Sequence, residues 1–190
     1  MRLYLGKEGK ESIAIFGGSF DPPHRGHQLI VSEALEHLEM DRLVIVPAYL
    51  NPFKESSFAP AQLRLEWCHT LFDSLEKVVV SDYEILQGKS TYTADTIKHF
   101  QNEYNVKYLI IGSDNLESLT KWHEYEWLNA QVTWVIATRK SSNLDTDMLR
   151  SWKILELDAA VSSTHIRKTQ ELEEVDSKIF ESVKKLLKDK

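Results

Sequence analysis

The stretch Gly17-Gly18-Ser19-Phe20-Asp21-Pro22-Pro23-His24-Arg25-Gly26-His27 decides the fold. It follows a short apolar run, Ile13-Ala14-Ile15-Phe16, and precedes an amphipathic pattern carrying Leu29, Ile30, Val31, Ala34, Leu35 and Leu38. Strand, glycine turn and helix, in that order, are how an open α/β fold presents backbone N–H groups and a positive helix end to an anion. The turn also holds His24 and His27, whose spacing puts both imidazoles on one face of a first helical turn. The segment is not a Walker loop, since Gly-x-x-x-x-Gly-Lys-Ser/Thr is absent, nor the dinucleotide fingerprint, whose third glycine is missing. Two histidines without a thiolate partner make a poor zinc site. They make a good anion clamp, and no protein-held metal is expected.

Outward from this segment, strand-like and helical runs alternate. Candidate strands lie at 13–16, 43–46, 78–80, 108–111, 132–137 and 154–157, and candidate helices at about 26–39, 60–74, 92–104, 121–130, 163–170 and 174–189. Several strands are continuously apolar and rich in Val and Ile, as required when helices cover both faces of a sheet. The expected fold is a doubly wound, Rossmann-like parallel α/β sheet with right-handed crossovers.

Composition narrows the function classes. The 190 residues, 42% of them hydrophobic, suit one domain over 12–190 after a polar N-terminal extension, 1–11. No apolar stretch approaches the roughly 20 residues needed to span a bilayer. The start does not read as a secretory signal, so the expectation is a cytoplasmic protein with no membrane partner. The net charge of −6 argues against nucleic acid as a partner, which calls for a basic face. It leaves room for a small phosphorylated substrate at a locally positive loop. The only cysteine, Cys68, falls in the pattern Leu63, Leu65, Trp67, Leu71, Phe72 and reads as a buried structural thiol. Neither a long heptad nor an obvious apolar edge strand decides the oligomeric state, so a homo-oligomer stays open.

Ligands of such sheets bind at the carboxyl ends of the strands. Those ends carry, in order, Gly17, Gly18, Ser19, His24 and His27; then Pro47, Asn51 and Lys54; then a helix start, Ser90 to Thr96, with several candidate capping oxygens. Next come Gly112, Ser113, Asp114 and Asn115 with Trp122 shortly after, then Arg139, and finally Ser162, Ser163, Thr164 and Arg167. Polar groups suited to phosphate and ribose therefore gather at one edge of the sheet.

The quoted segment resembles the Gly-Gly-Ser-Phe-Asp-Pro-x-His-x-Gly-His signature of the nucleotidyltransferase superfamily. Ser162-Ser163-Thr164-His165-Ile166-Arg167 resembles its second signature, Ser-Ser-Thr-x-Ile-Arg. Within that superfamily, Ser90-Thr91-Tyr92-Thr93-Ala94-Asp95-Thr96 and Gly112-Ser113-Asp114-Asn115-Leu116 followed by Trp122 are similar to elements of the bacterial nicotinate-nucleotide adenylyltransferase family. The likeness runs from Ile13 to Arg167. In place of the histidine that the family usually shows before its loop cation, this chain has Phe53, ahead of Lys54. After Arg139 it has Lys140-Ser141 where the family often has Pro-Gly.

The resemblance implies transfer of AMP from ATP to the 5′-phosphate of nicotinate mononucleotide, giving deamido-NAD and pyrophosphate. A sister reaction on phosphopantetheine or a cytidylyl acceptor is the alternative. It implies that His24 and His27 donate to phosphate oxygens, and that amides of Gly17, Gly18, Ser19 and Phe20 cradle the triphosphate with those around Ser163 and Thr164. Arg167 would meet the β- and γ-phosphates, and Lys54 would cross to the triphosphate and also count among the acceptor-binding residues. Gly112 and Asp114 would belong to the ATP site, Asp114 accepting from a ribose hydroxyl, with Thr93 and Trp122 facing the pyridine. Nucleotide-bound Mg2+ is expected with ATP.

Overall fold

A computed structural model describes residues 9–139, 144–157 and 162–189. Six parallel strands form one sheet in the order β3-β2-β1-β4-β5-β6. They are β1 (Ser12–Gly18), β2 (Arg42–Pro47), β3 (Val78–Val80), β4 (Asn105–Gly112), β5 (Thr133–Arg139) and β6 (Trp152–Leu157). In register, Ile15 of β1 faces Val44 of β2 on one side and Leu109 of β4 on the other. The chain winds from β1 out to β3 and then returns to β4 on the opposite flank. The switch point therefore falls between β1 and β4, directly above the glycine turn.

Helices cover both faces, which is why the strands read as unbroken apolar runs. On one face, Ala14, Phe16, Leu43, Ile45, Tyr108 and Ile110 pack with residues of α1 (Arg25–His37), α2 (Ala61–Phe72) and α7 (Ser177–Lys188). On the other, Ile13, Ile15, Val44, Leu109, Trp134 and Ile136 pack with α4 (Thr93–Gln101), a 3-10 helix (Ser113–Lys121) and α5 (Tyr125–Gln131). Two short helices, α3 (Tyr83–Leu86) and α6 (Ser163–Thr169), sit beside the carboxyl ends of the strands. Cys68 is buried in α2, and burial pushes its thiol pKa up.

All six expected strands are present, β3 with the same bounds and the rest within a few residues. The helical reading of 121–130 needs correction. A 3-10 helix ends at Lys121, and α5 starts only at Tyr125 after Glu124 adopts a left-handed φ of 54°. Leu116 and Leu119, both buried, lie three residues apart, the repeat at which a 3-10 helix stacks side chains. The four-residue α3 was not expected, being too short to show periodicity.

Capping before α4 also differs from expectation. Its N-cap is Tyr92 and no side chain caps it. Ser90 Oγ donates instead to the Leu50 carbonyl at 2.8 Å, tying the loop after β3 to the loop after β2. Nor is the sheet free of apolar edge residues, because Trp152 and Ile154 on edge strand β6 are exposed. Lys153 between them is a common guard against strand-to-strand pairing.

Residues 1–8 of the expected extension lie outside the described residues. Lys10 Nζ donates to the carbonyls of Gln101 and Asn102 at the end of α4, and Glu11 pairs with Arg42. Lys140 and Ser141 also lie outside the described residues. Among those that are described, no helix is long and apolar enough to cross a membrane.

The central strands carry the stability of the sheet. Ile110 of β4 is fully buried and packs against both the β1 side and the helical layer. Replacement by alanine leaves a cavity that rigid neighbours cannot fill, at a cost of about 2–5 kcal/mol. Urea unfolding of Ile110→Ala is expected to show a midpoint lowered accordingly, with an unchanged m-value.

Candidate active site

The glycine turn is shaped by one aromatic ring. Phe20 adopts a φ of 47°, a left-handed conformation rare for a non-glycine residue, and its ring is buried. That ring meets Phe16 edge-on at 5.4 Å and His27 at 4.8 Å. A Cβ on Gly18 would come within 3.1 Å of it, so glycine is needed there for the ring to lie against the strand end. Gly17 is exposed and leaves its backbone open to a ligand. The Asp21–Pro22 peptide is cis.

His24 and His27 do more locally than the sequence implied. His24 is the N-cap of α1, and its Nδ1 accepts the Gly26 N–H at 3.1 Å. His27, three residues on, returns the favour: its Nδ1 accepts the His24 N–H at 3.2 Å. This is a capping box built from two imidazoles. A ring nitrogen that accepts a hydrogen bond carries no proton, so in the neutral rings the hydrogens sit on both Nε2 atoms. The ring centroids are 3.9 Å apart, so the two imidazoles lie against each other. Burial lowers the His24 pKa to about 4; burial and then the neighbouring His24 hold His27 well below 6.5. At neutral pH both are uncharged donors.

The second signature docks on the first. Ser162 caps α6 by accepting the His165 N–H, and Ser163 Oγ donates to the Pro22 carbonyl at 2.9 Å. Arg167 Nη1 donates to the Asp21 carbonyl and lies 4.0 Å from the Asp21 carboxylate, while Nη2 donates to Thr164 Oγ1 at 3.1 Å. Lys54 Nζ donates to Ser19 Oγ at 3.3 Å across the glycine turn. Its pKa is lowered, first by desolvation and next by the Arg167 charge, with Asp21 and Asp114 opposing. Lys54, Arg167, Ser19 and Asp114 therefore share one electrostatic neighbourhood.

At the end of β4, a Cβ on Gly112 would stand 2.5 Å from Asp114 Oδ1. Glycine lets that exposed carboxylate fold back, where it accepts from Asn115 Nδ2 at 3.1 Å. Thr93 opens α4 and is half-buried. Trp122 closes the 3-10 helix, packed edge-on against Trp134 at 6.2 Å. Its Nε1–H is shielded from solvent and has no acceptor among the described residues. Stacking of Tyr92 on His123 at 4.4 Å brings the segments bearing Thr93 and Trp122 together. The side chain of Arg139 lies outside what the structure describes.

Three charged residues were missed. Asp21, given no role of its own in the quoted segment, is buried, and its carboxylate accepts the Phe58 and Ala59 amides at 2.8 Å each. Arg64 is fully buried and donates to four carbonyls. It shares the stripe of Trp67, Cys68 and Leu71 on α2, and a cation on an apolar stripe was the available signal. Glu84 of α3 accepts the Thr96 hydroxyl of α4 at 2.6 Å, and burial pushes its carboxyl up to about 7. No sequence pattern marks it.

The histidine cap makes stability pH-dependent with a definite sign. Both folded-state pKa values lie below the unfolded value near 6.5, so the unfolded chain binds more protons as pH falls. Stability is intact above pH 6.5 and is lost as pH drops toward 4, at about 1.4 kcal/mol per unit for one proton. The double substitution His24→Asn with His27→Gln keeps capping oxygens and removes the titration. Its melting temperature is expected to fall less between pH 7 and pH 5 than that of the native chain; equal slopes would refute the neutral-cap assignment.

Comparison with known proteins bears on family and fold. The profile of the cytidylyltransferase-like family matches residues 15–169. The chain is 58% identical over 183 residues, 96% of its length and 97% of the relative's, to a probable nicotinate-nucleotide adenylyltransferase of Sulfurovum sp.. It is 46% identical over 157 residues, covering 82% and 86%, to a protein of the same description from Nitratiruptor sp.. In fold it is similar to the Plasmodium falciparum nicotinic acid mononucleotide adenylyltransferase complexed with NaAD. There the TM-score is 0.72 at 20% identity, over 94% of this chain and 95% of that one. The chain belongs to the cytidylyltransferase-like family and, within it, to the nicotinate-nucleotide adenylyltransferases.

Proposed function

We propose that this chain transfers the adenylyl group of ATP to the 5′-phosphate of nicotinate mononucleotide in the cytoplasm, as a step of NAD biosynthesis. The observation that carries the reading is the docking of Arg167 and Ser163 onto Asp21 and Pro22, which brings the two signatures together. A bond forms between an acceptor phosphate oxygen and the α-phosphorus, and the bond from that phosphorus to the bridging oxygen of pyrophosphate breaks. The attacking oxygen is already anionic, so the site needs no general base. It needs placement and stabilisation of the departing charge.

The residues divide that work. His24 and His27 offer neutral Nε2–H groups to phosphate oxygens, and amides of Gly17, Gly18, Ser19 and Phe20 line the turn beside them. Arg167 and Lys54 supply positive charge toward the β- and γ-phosphates. Ser163 Oγ is occupied by Pro22, so Ser163 and Thr164 contribute backbone amides at the start of α6. Gly112 and Asp114 face the ribose. Thr93 and Trp122 belong to the acceptor side, where an indole can stack on an electron-poor pyridine. ATP arrives as its magnesium complex. In this reading the ion is carried mostly by the nucleotide and water.

The test is pyrophosphate release with ATP and a panel of acceptors: nicotinate mononucleotide, its amide counterpart and phosphopantetheine. Turnover is expected with the pyridine mononucleotides, with kcat/KM higher for the acid than for the amide. No turnover with either would refute the proposal. His27→Ala is expected to lower kcat by about 10²–10³-fold, the usual cost of one donor to a developing anion.

A further inference from the structure

We infer that Arg64 is a positioning residue for the phosphate site: by holding the Ser19 carbonyl, it turns the Phe20 N–H toward the triphosphate of the substrate. This rests on the function proposed above. Arg64 is fully buried on α2 and touches no open surface, so it cannot meet substrate itself. Its Nη1 donates to the Ser19 carbonyl at 2.7 Å and to the Ala48 carbonyl at 2.6 Å. Nη2 donates to Tyr49 at 2.6 Å and Nε to Ala59 at 3.1 Å. One rigid fork thus fastens the loop after β1, the loop after β2 and the entry to α2.

The consequence for Ser19 follows from peptide geometry. In a planar trans peptide the C=O and the N–H point in opposite directions. A Ser19 carbonyl directed inward at Arg64 therefore sends the N–H of the same peptide, that of Phe20, outward. That N–H meets no acceptor among the described residues. Both residues of this peptide border the site: Lys54 Nζ reaches Ser19 Oγ, and His27 lies against the Phe20 ring. The left-handed φ of Phe20 is held from both ends, its ring by Phe16 and His27 and its preceding carbonyl by Arg64. Strain of this kind persists only where the surroundings over-determine it. Lysine has one compact ammonium where arginine has a planar fork, and it cannot reach three segments together.

Two measurements test this. In the native chain, the Phe20 backbone amide resonance is expected to shift downfield on adding pyrophosphate alone; no movement at saturation would overturn the inference. In Arg64→Lys, which keeps the buried charge, a cooperative thermal melt is expected. Affinity for a non-hydrolysable ATP analogue should fall at least tenfold, while affinity for nicotinate mononucleotide changes less than threefold. Unchanged analogue affinity, or equal loss for both ligands, would show a purely structural role. If Arg64→Lys fails to fold, the amide titration decides alone. Should the native chain bind the analogue and pyrophosphate but no pyridine mononucleotide, the acceptor assignment fails while the role of Arg64 toward phosphate stands.

Discussion

A guanidinium sealed from water must give its N–H groups to protein acceptors, and that requirement at Arg64 organises the whole mouth of the sheet. Burial lowers its pKa, with Asp21 partly opposing, yet arginine keeps its charge at any pH a protein meets. The charge must therefore be answered by dipoles, and four carbonyls from three loops answer it. Leaving such a group unpaired would cost several kcal/mol, so the loops are not free to drift apart while the chain is folded. Asp21 complements it with the opposite polarity, taking two amides from the entry to α2 and facing Arg167 from α6. Segments distant in the chain meet because two buried charges demand partners.

The same logic explains what the sequence disclosed. Parallel strands covered on both faces must be apolar throughout, so runs such as Leu43 to Val46 announce themselves without reference to the rest of the chain. The glycine turn and the serine-capped α6 were legible because their residue types follow from local backbone needs. The 3-10 helix from Ser113 to Lys121 was not, since its buried Leu116 and Leu119 are too few to distinguish a three-residue repeat from an irregular loop. Arg64 and Asp21 were hidden for a different reason. Their partners are mostly backbone groups, which leave no trace in residue identity, so only the place of Arg64 on the apolar stripe of α2 could have marked it. Glu84 reaches Thr96 across a turn of unremarkable composition, a contact set by the approach of α3 to α4.

The histidines show how far local structure can refine a motif. Their spacing suggested a pair beside an anion, and the structure adds why each ring presents a particular nitrogen. Capping consumes both Nδ1 atoms, leaving Nε2–H as the remaining polar group of each ring. Structural and chemical duties are thus divided between the two nitrogens of one side chain. A cap made from Ser or Asp would stabilise α1 equally well. It would offer nothing beyond the cap, which makes histidine an odd choice for stability and a sensible one for a site that needs fixed donors.

Charge placement completes the argument. A chain of net charge −6 must still attract a highly anionic nucleotide. The structure separates neutral donors at the centre, His24 and His27, from full charges at the rim, Lys54 and Arg167. Cationic imidazoles at the centre would repel one another across 3.9 Å and would break the cap that orients them. Uncharged donors avoid both penalties and need no counter-ion between substrates. The rim cations sit where solvent partly screens them, Lys54 on a loop and Arg167 on a short helix. In the proposed reaction they would draw the triphosphate toward the neutral donors. Neutral donors held by a capping box, with cations kept to the edge, reconcile an acidic surface with an anion-binding core.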